Sequence, residues 1–247
     1  MKQLMVVLLL TVLFCPGLPA GAGEGAELLR RSDEAFFPKE ARFLFRLEEY
    51  ENNEYRRYHL MEGYIKGEDR YLLIGLEPAV NRGMVQLRVQ DVIHVYLKRI
   101  DKMDQVSAKV AFQNTLLSQE DVMNTKLANF YDLESYEKTV KNGRKIYVLH
   151  LTARSREVAY YRIISYIDAE SYLPVKREYF AFSGQKIKEL IVDKIEFHEG
   201  RLSCLAFTIY DILRPGYFAR VMFSDFDYSR ALEDRMFTRT YMRAAAR

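Results

Sequence analysis

Four histidines, His59, His94, His150 and His198, are the side chains in this sequence best suited to bind a metal or to move a proton near neutral pH. They fall on separate expected strands or turns, and none has a second ligand at metal spacing. Each is read as structural, satisfying a local hydrogen bond. The acidic pairs Glu48-Glu49 and Glu120-Asp121 come next. Successive side chains of a strand point to opposite faces, so Glu48 and Glu49 cannot cooperate as acid and base. Glu120 and Asp121 follow Ser118 and suit the first turn of a helix, where negative charge offsets unpaired N–H groups. The chain holds no Gly-x-Ser-x-Gly, no His-Glu-x-x-His, no phosphate-cradling glycine loop and no Cys-x-x-Cys. It is therefore read as non-enzymatic, with no cofactor and no metal; a hydrolase site would have to be assembled from scattered residues.

The remaining chemistry is apolar. Phe43, Phe45 and Leu47, then Val85, Leu87 and Val89, then Leu149, Leu151, Ile163 and Ile191, recur with strand periodicity and are the expected lining of a concave face. Such a lining either packs as an ordinary core or leaves a cavity for acyl chains, and alternation alone serves both. Each methylene withdrawn from water is worth about 0.8 kcal/mol, so even a loosely shaped pocket would hold a long chain.

These residues must be positioned by strands. Period-two alternation runs through residues 43–47, 55–65, 71–76, 84–89 and 92–97, and resumes over 131–140, 146–152, 160–167, 174–182, 186–197, 202–211 and 217–226. Gln90-Asp91 is short enough for a tight hairpin, and Asn142-Gly143 is the strongest hairpin signal in the chain. Short connections make sequence neighbours antiparallel neighbours in space. Two helices interrupt the strands: residues 26–37, ended by Pro38, and residues 116–123, with Ser118 as N-cap. A further helical run is expected over 230–235, followed by a basic end that frays. The fold class that follows is mainly β: a strongly curved, half-open antiparallel barrel of roughly ten or eleven strands, with a few short helices covering the concave face.

The first residues carry a positive start, an apolar run from Leu4 to Phe14 too short to span a bilayer, and a small-residue region containing Ala20-Gly21-Ala22. Residues 1–22 are read as a signal peptide cleaved after Ala22, or alternatively after Ala20, leaving residues 23–247 as a single domain. Acylation of Cys15 is the rival reading, disfavoured by Phe14 before it and Pro16 after it. The expected location is a bacterial periplasm. Cys204 is then the one cysteine left, so no internal disulfide can form, and it reads as a small buried hydrophobe. The net charge of +3, which falls by one with Lys2, comes from 37 basic and 34 acidic residues, a balance that argues against a nucleic-acid partner. With no Trp, 18 Tyr and 15 Phe supply the aromatic packing volume.

Three segments between Val110 and Leu190 carry a family resemblance: Leu117-Ser118-Gln119-Glu120-Asp121-Val122; Ala159-Tyr160-Tyr161-Arg162-Ile163, leading into Ile167-Asp168; and Tyr172-Leu173-Pro174-Val175-Lys176-Arg177-Glu178-Tyr179, followed by Gly184-Gln185-Lys186-Ile187-Lys188. Together they resemble the periplasmic carriers of the bacterial lipoprotein-localisation system, LolA and LolB, and more closely their relatives called outer-membrane lipoprotein-sorting proteins. The resemblance implies a curved antiparallel sheet wrapped part-way round a helical lid and holding the acyl chains of a lipoprotein or lipid in transit, with no catalysis. It also implies an inner-membrane transporter or an outer-membrane acceptor as transfer partner. The chain departs from the family at Val92-Ile93-His94-Val95-Tyr96-Leu97, which lacks the Trp and Pro often found before the crossing element. No arginine here matches the ligand-gating arginine of the characterised carriers.

Overall fold

A computed structural model describes residues 21–123, 126–198 and 200–246. Residues 1–20, most of the expected leader, lie outside them. The chain opens with helix α1 (Gly21–Phe36), which turns Leu28, Leu29 and Phe36 inward and ends just before Pro38. Six strands follow as a meander: β1 (Glu40–Glu51), β2 (Glu54–Lys66), β3 (Arg70–Glu77), β4 (Met84–Val89), β5 (Val92–Leu97) and β6 (Lys102–Val106). Seven more form a second meander: β7 (Tyr131–Lys141), β8 (Arg144–Ala153), β9 (Arg162–Asp168), β10 (Pro174–Phe180), β11 (Lys186–His198), β12 (Arg201–Asp211) and β13 (Phe218–Asp227). β1 pairs with β13, joining the two meanders into one antiparallel sheet of 13 strands in the order β6-β5-β4-β3-β2-β1-β13-β12-β11-β10-β9-β8-β7.

The sheet does not close, and its two edges, β6 and β7, are consecutive in the chain. Residues 107–130 must therefore cross from one edge to the other, and they carry the short helices α2 (Gln119–Val122) and α3 (Leu127–Phe130). The strand count exceeds the expected ten or eleven. β6, Lys-Met-Asp-Gln-Val, has no buried residue and hence no apolar alternation to read, as befits a short polar edge strand. The expected hairpins are present. Val89 pairs with Val92 around Gln90-Asp91, and Lys141 pairs with Arg144 around Asn142-Gly143, where both turn residues take positive φ as a type I′ turn requires.

The C-terminal segment is packed against the sheet as far as Ala246. A 3-10 turn (Asp234–Phe237) and helix α4 (Arg239–Ala245), capped by the Thr238 hydroxyl, replace the helix expected over 230–235. Leu232, Met236, Phe237, Met242 and Ala246 pack against Tyr64, Leu72, Val85, Leu87 and Tyr96 on the outer face of β2–β5. Lys66 and Arg70 hold Asp234 at 2.6 and 2.8 Å, so the segment is pinned by charge as well as by apolar contact.

Candidate functional site

The concave face and the elements laid over it form the main core. Six of the ten expected lining residues lie there: Phe43, Phe45, Leu47, Leu149, Leu151 and Ile163 are all buried in one cluster. α1 covers them with Leu28, Leu29 and Phe36, and the crossing segment with Phe112, Leu117, Val122, Met123 and Leu127. α1 sits close to β7 because Gly25 has no side chain: a Cβ there would lie 2.1 Å from Leu133.

The other four residues are placed differently from expectation. Leu87 pairs with Leu72, Val85 with Ile74 and Val89 with Arg70, which puts all three on the outer face beneath the C-terminal segment. Gln86 and Arg88 take the inward positions of β4 instead, and both are buried. Ile191, opposite Lys176 and Thr208, is on the outside and 37 % exposed. The inward neighbour is Leu190.

Polar groups set into this apolar face were not anticipated. As expected, Glu48 and Glu49 part company across the sheet. Glu49 is buried and accepts from the N–H of Leu116 and the hydroxyl of Tyr217, both at 2.9 Å, and from Arg57, so it fastens the crossing segment to β1. Asp121 completes the expected capping box with Ser118, and also accepts from the Tyr160 hydroxyl at 2.6 Å and from the Lys188 ammonium at 3.2 Å.

Glu120 does lie in the first turn of α2, as expected, but its side chain is turned into the core. It is buried, with one oxygen accepting from the Tyr131 hydroxyl at 2.8 Å and the other from the Ala159 N–H at 2.6 Å. Burial raises its pKa to about 7. On α1, Asp33 is also buried and accepts from the Ala128 N–H at 2.9 Å, and burial lifts it to about 6. Arg177 faces it from β10, buried 4.9 Å from the Phe36 ring, its Nε without a hydrogen-bond partner among the described residues.

His59 meets Asn81 at 2.8 Å and is held below its usual pKa, first by burial and then by Arg57. Among the described residues no group of three or more His, Cys, Asp or Glu is placed to hold a metal. Cys204 is free and buried, its thiol pushed up to about 12 by that burial. Under the cover are two small spaces of about 30 and 10 Å3, room for about one water each. An opening of about 650 Å3 lies at the seam between the two edges of the sheet. No helix among the described residues is long and apolar enough to cross a membrane.

Residues 67–244 match the sequence model of a family described as "Uncharacterized protein". The chain belongs to that family. Solved structures share the fold. A LolA superfamily protein from Nitrosomonas europaea aligns with a TM-score of 0.78 at 20% identity, over 88% of this chain and 98% of its own. A DUF1329 family protein from Desulfovibrio piger gives 0.79 at 20%, over 90% and 99%. A domain described as that of an outer membrane lipoprotein-sorting protein, from Vibrio parahaemolyticus, gives 0.79 at 16%, over 90% and 99%. The fold is thus LolA-like, a curved and half-open antiparallel barrel. No curated protein matches the chain.

Proposed function

We propose that the chain is a non-enzymatic carrier in the periplasm, exported by a cleaved leader at residues 1–22, whose concave face takes the acyl chains of a lipoprotein or lipid on their way to the outer membrane. The observation that carries this reading is the nature of the cover. α1 and the crossing segment pack over a wide apolar face, and their polar ties run to a few main-chain N–H groups: Asp33 joins α1 to Ala128 of the crossing segment, Glu49 of β1 holds Leu116, and Glu120 holds Ala159. Such contacts can be exchanged for water when the cover lifts, whereas the apolar face beneath needs a new apolar partner. An acyl chain supplies one at about 0.8 kcal/mol per methylene. In this reading Phe43, Phe45, Leu47, Leu149, Leu151 and Ile163 line the opened cavity. Load passes to or from an inner-membrane transporter or an outer-membrane acceptor.

A second reading is favoured by the small size of the two voids: an envelope accessory protein with a permanently filled core and no cargo. Native mass spectrometry of the protein purified from its own periplasm, followed by organic extraction, separates the two. Bound phospholipid or acylated peptide near one per chain is the expected result. A clean apo mass, with no uptake of a fluorescent fatty acid, sinks the carrier and leaves the accessory protein.

A further inference from the structure

The turns of the sheet differ by end. Neighbouring strands are antiparallel, so successive connections alternate between its two ends. One end carries residues 52–53, 78–83, 98–101, 154–161, 181–185 and 212–217; the other carries 67–69, 90–91, 142–143, 169–173 and 199–200. In the connections of the first end Val80, Ile100, Tyr161, Phe182, Ile212 and Leu213 stand 40 to 64 % exposed. At the second, among the described residues, no connection holds an exposed large apolar side chain; Val140, Phe197 and Leu202 are exposed there, but within strands. The tips of the first end are grouped. The Phe182 ring lies 5.5 Å from that of Tyr161 and 5.7 Å from the Arg156 guanidinium, and the Ile212 N–H donates to the Ile187 carbonyl at 2.9 Å, just past the same turn. The connections that hold Val80 and Ile100 meet at Gly83, where a Cβ would lie 2.7 Å from Lys98.

Charge is divided in the same way. The connections of the first end hold Arg82, Lys98, Arg99, Arg154, Arg156 and Arg214 against Asp101 and Glu157. Those of the second hold Glu68, Asp69, Asp91, Glu170 and Glu199, with no Lys or Arg. The terminal residues of the strands narrow the contrast: the first end adds Glu51, Glu54, Glu77 and Asp211 against Lys102, Arg162 and Lys186, and the second adds Lys66, Arg70, Lys141, Arg144 and Arg201 against Asp168. The tips, however, reach a flat surface first. Three of their charges are already engaged: Arg154 by Asp132 at 2.7 Å, Arg214 by Asp211 at 2.6 Å, and Asp101 by Arg243 at 3.4 Å. Arg82, Lys98, Arg99 and Arg156 are exposed and make no ion pair among the described residues; nor does Glu157, beside Arg156. Separate protruding tips suit a broad, flat partner. One that is apolar within and anionic at its surface matches both the apolar side chains and the four cations.

We propose that this end of the sheet docks on a phospholipid surface with anionic headgroups. Phe182, Ile212 and Leu213, together with Val80 and Ile100, enter the boundary between headgroups and acyl chains, and Arg82, Lys98, Arg99 and Arg156 meet the phosphates. The acidic turns of the other end are repelled by the same surface, which fixes the orientation. The proposal goes beyond the carrier reading and does not rest on it: a chain with a permanently filled core would dock in the same way.

Co-flotation of the whole chain with vesicles of phosphatidylethanolamine and phosphatidylglycerol, and with vesicles of phosphatidylcholine alone, tests this. The chain should float with the first, bind the second about tenfold more weakly, and lose most of the difference in high salt. Lys98→Gln and Arg156→Gln should each weaken binding to the anionic vesicles about fivefold. Phe182→Ser combined with Leu213→Ser should weaken it about tenfold. Because the chain has no Trp, a single introduced indole reports its own surroundings. The emission of Phe182→Trp and of Ile100→Trp should move to shorter wavelength when anionic vesicles are added. That of Phe197→Trp, at a position 72 % exposed at the other end, should stay where it is. All three positions are exposed, so the substitutions leave the core intact. Equal flotation with the two vesicles overturns the proposal, and so does an emission shift confined to Phe197→Trp. Flotation with neither overturns it as well and leaves the tips to a protein partner. Uptake of a fluorescent fatty acid from solution, which the tip variants should not change, reports on the concave face separately: its failure ends the carrier reading and leaves the docking end standing.

Discussion

The two faces of β2–β5 are both covered, by opposite means. On the outer face, the C-terminal segment seals Tyr64, Leu72, Val85 and Leu87 with Leu232, Met236, Phe237 and Met242, and its charged contacts to Lys66 and Arg70 stay at the rim. On the inner face, carboxylates are carried into the interior: Asp33 and Glu120 belong to the cover, and Glu49 receives it. A buried carboxylate is costly unless each oxygen is matched, so these contacts fix the position of the inner cover while Leu28, Leu29, Phe36, Phe112 and Leu117 supply its apolar burial. The outer cover gains its stability from apolar burial and costs little to keep. In the carrier reading proposed above, the outer face is permanent structure and the inner one is the side that opens.

Substitutions beneath the two covers should separate them. Phe45, 1 % exposed, lies at the centre of the inner face against Phe112 and Phe223. Phe45→Ala should lower global stability by about 3–5 kcal/mol in urea denaturation and reduce fatty-acid uptake. Met242, fully buried under the outer cover, is the matched probe. Met242→Ala should cost about 2–3 kcal/mol and leave uptake unchanged. If Met242→Ala also abolished uptake, the division between a permanent face and an opening face would fall.

That division was only half legible in the sequence. Alternation shows which residues share a face of a strand, not which face is concave. In Met84-Val85-Gln86-Leu87-Arg88-Val89 the apolar set looked like the lining, but the tail covers it outside and Gln86 and Arg88 face inward. The missing information lay some 150 residues away, in a segment whose short apolar spacing gave no long helix to read. In β11, Leu190, Ile191 and Val192 are apolar at both parities, so nothing local picked Leu190 over Ile191. The strand turns were legible because Asn142-Gly143 and Gln90-Asp91 act locally. Glu120 was assigned to a helix terminus because Ser118 and Asp121 do form the capping box beside it. Its own partners, Tyr131 and Ala159, come from beyond the helix and left no local trace.

The buried carboxylates also set a pH dependence. Asp33 has a folded pKa of about 6 against an ordinary 3.8, so the folded chain holds a proton that the unfolded chain has lost. Its contribution is fully present below about pH 4 and is lost as pH rises towards 6. Glu120, raised from 4.5 to about 7, acts in the same direction over a slightly higher window. His59, held below its usual value, opposes them as pH falls through 6.5, so the parent protein shows only the sum. Asp33→Asn isolates one component. Between pH 7 and 5 the parent should gain about 1 kcal/mol more than the variant, measured as the difference between paired denaturation curves. Hydrogen exchange should place the gain in α1, as slower exchange at the lower pH. Equal pH profiles for the two proteins would mean that Asp33 does not hold α1 down.

The smallest expected effect belongs to Ile191, and it tests the assignment of faces most directly. Its outward position between Lys176 and Thr208 means that Ile191→Ser removes little buried surface. Stability should change by less than about 0.5 kcal/mol, and fatty-acid uptake should stay the same. Leu190, one residue away and 3 % exposed, packs in the inner core. Leu190→Ser should cost several times more, because it both empties a packed site and buries a hydroxyl. A one-residue slip in the pairing of β11 would exchange the two side chains and reverse the order of the two variants, so their ranking alone fixes which face of this strand is concave.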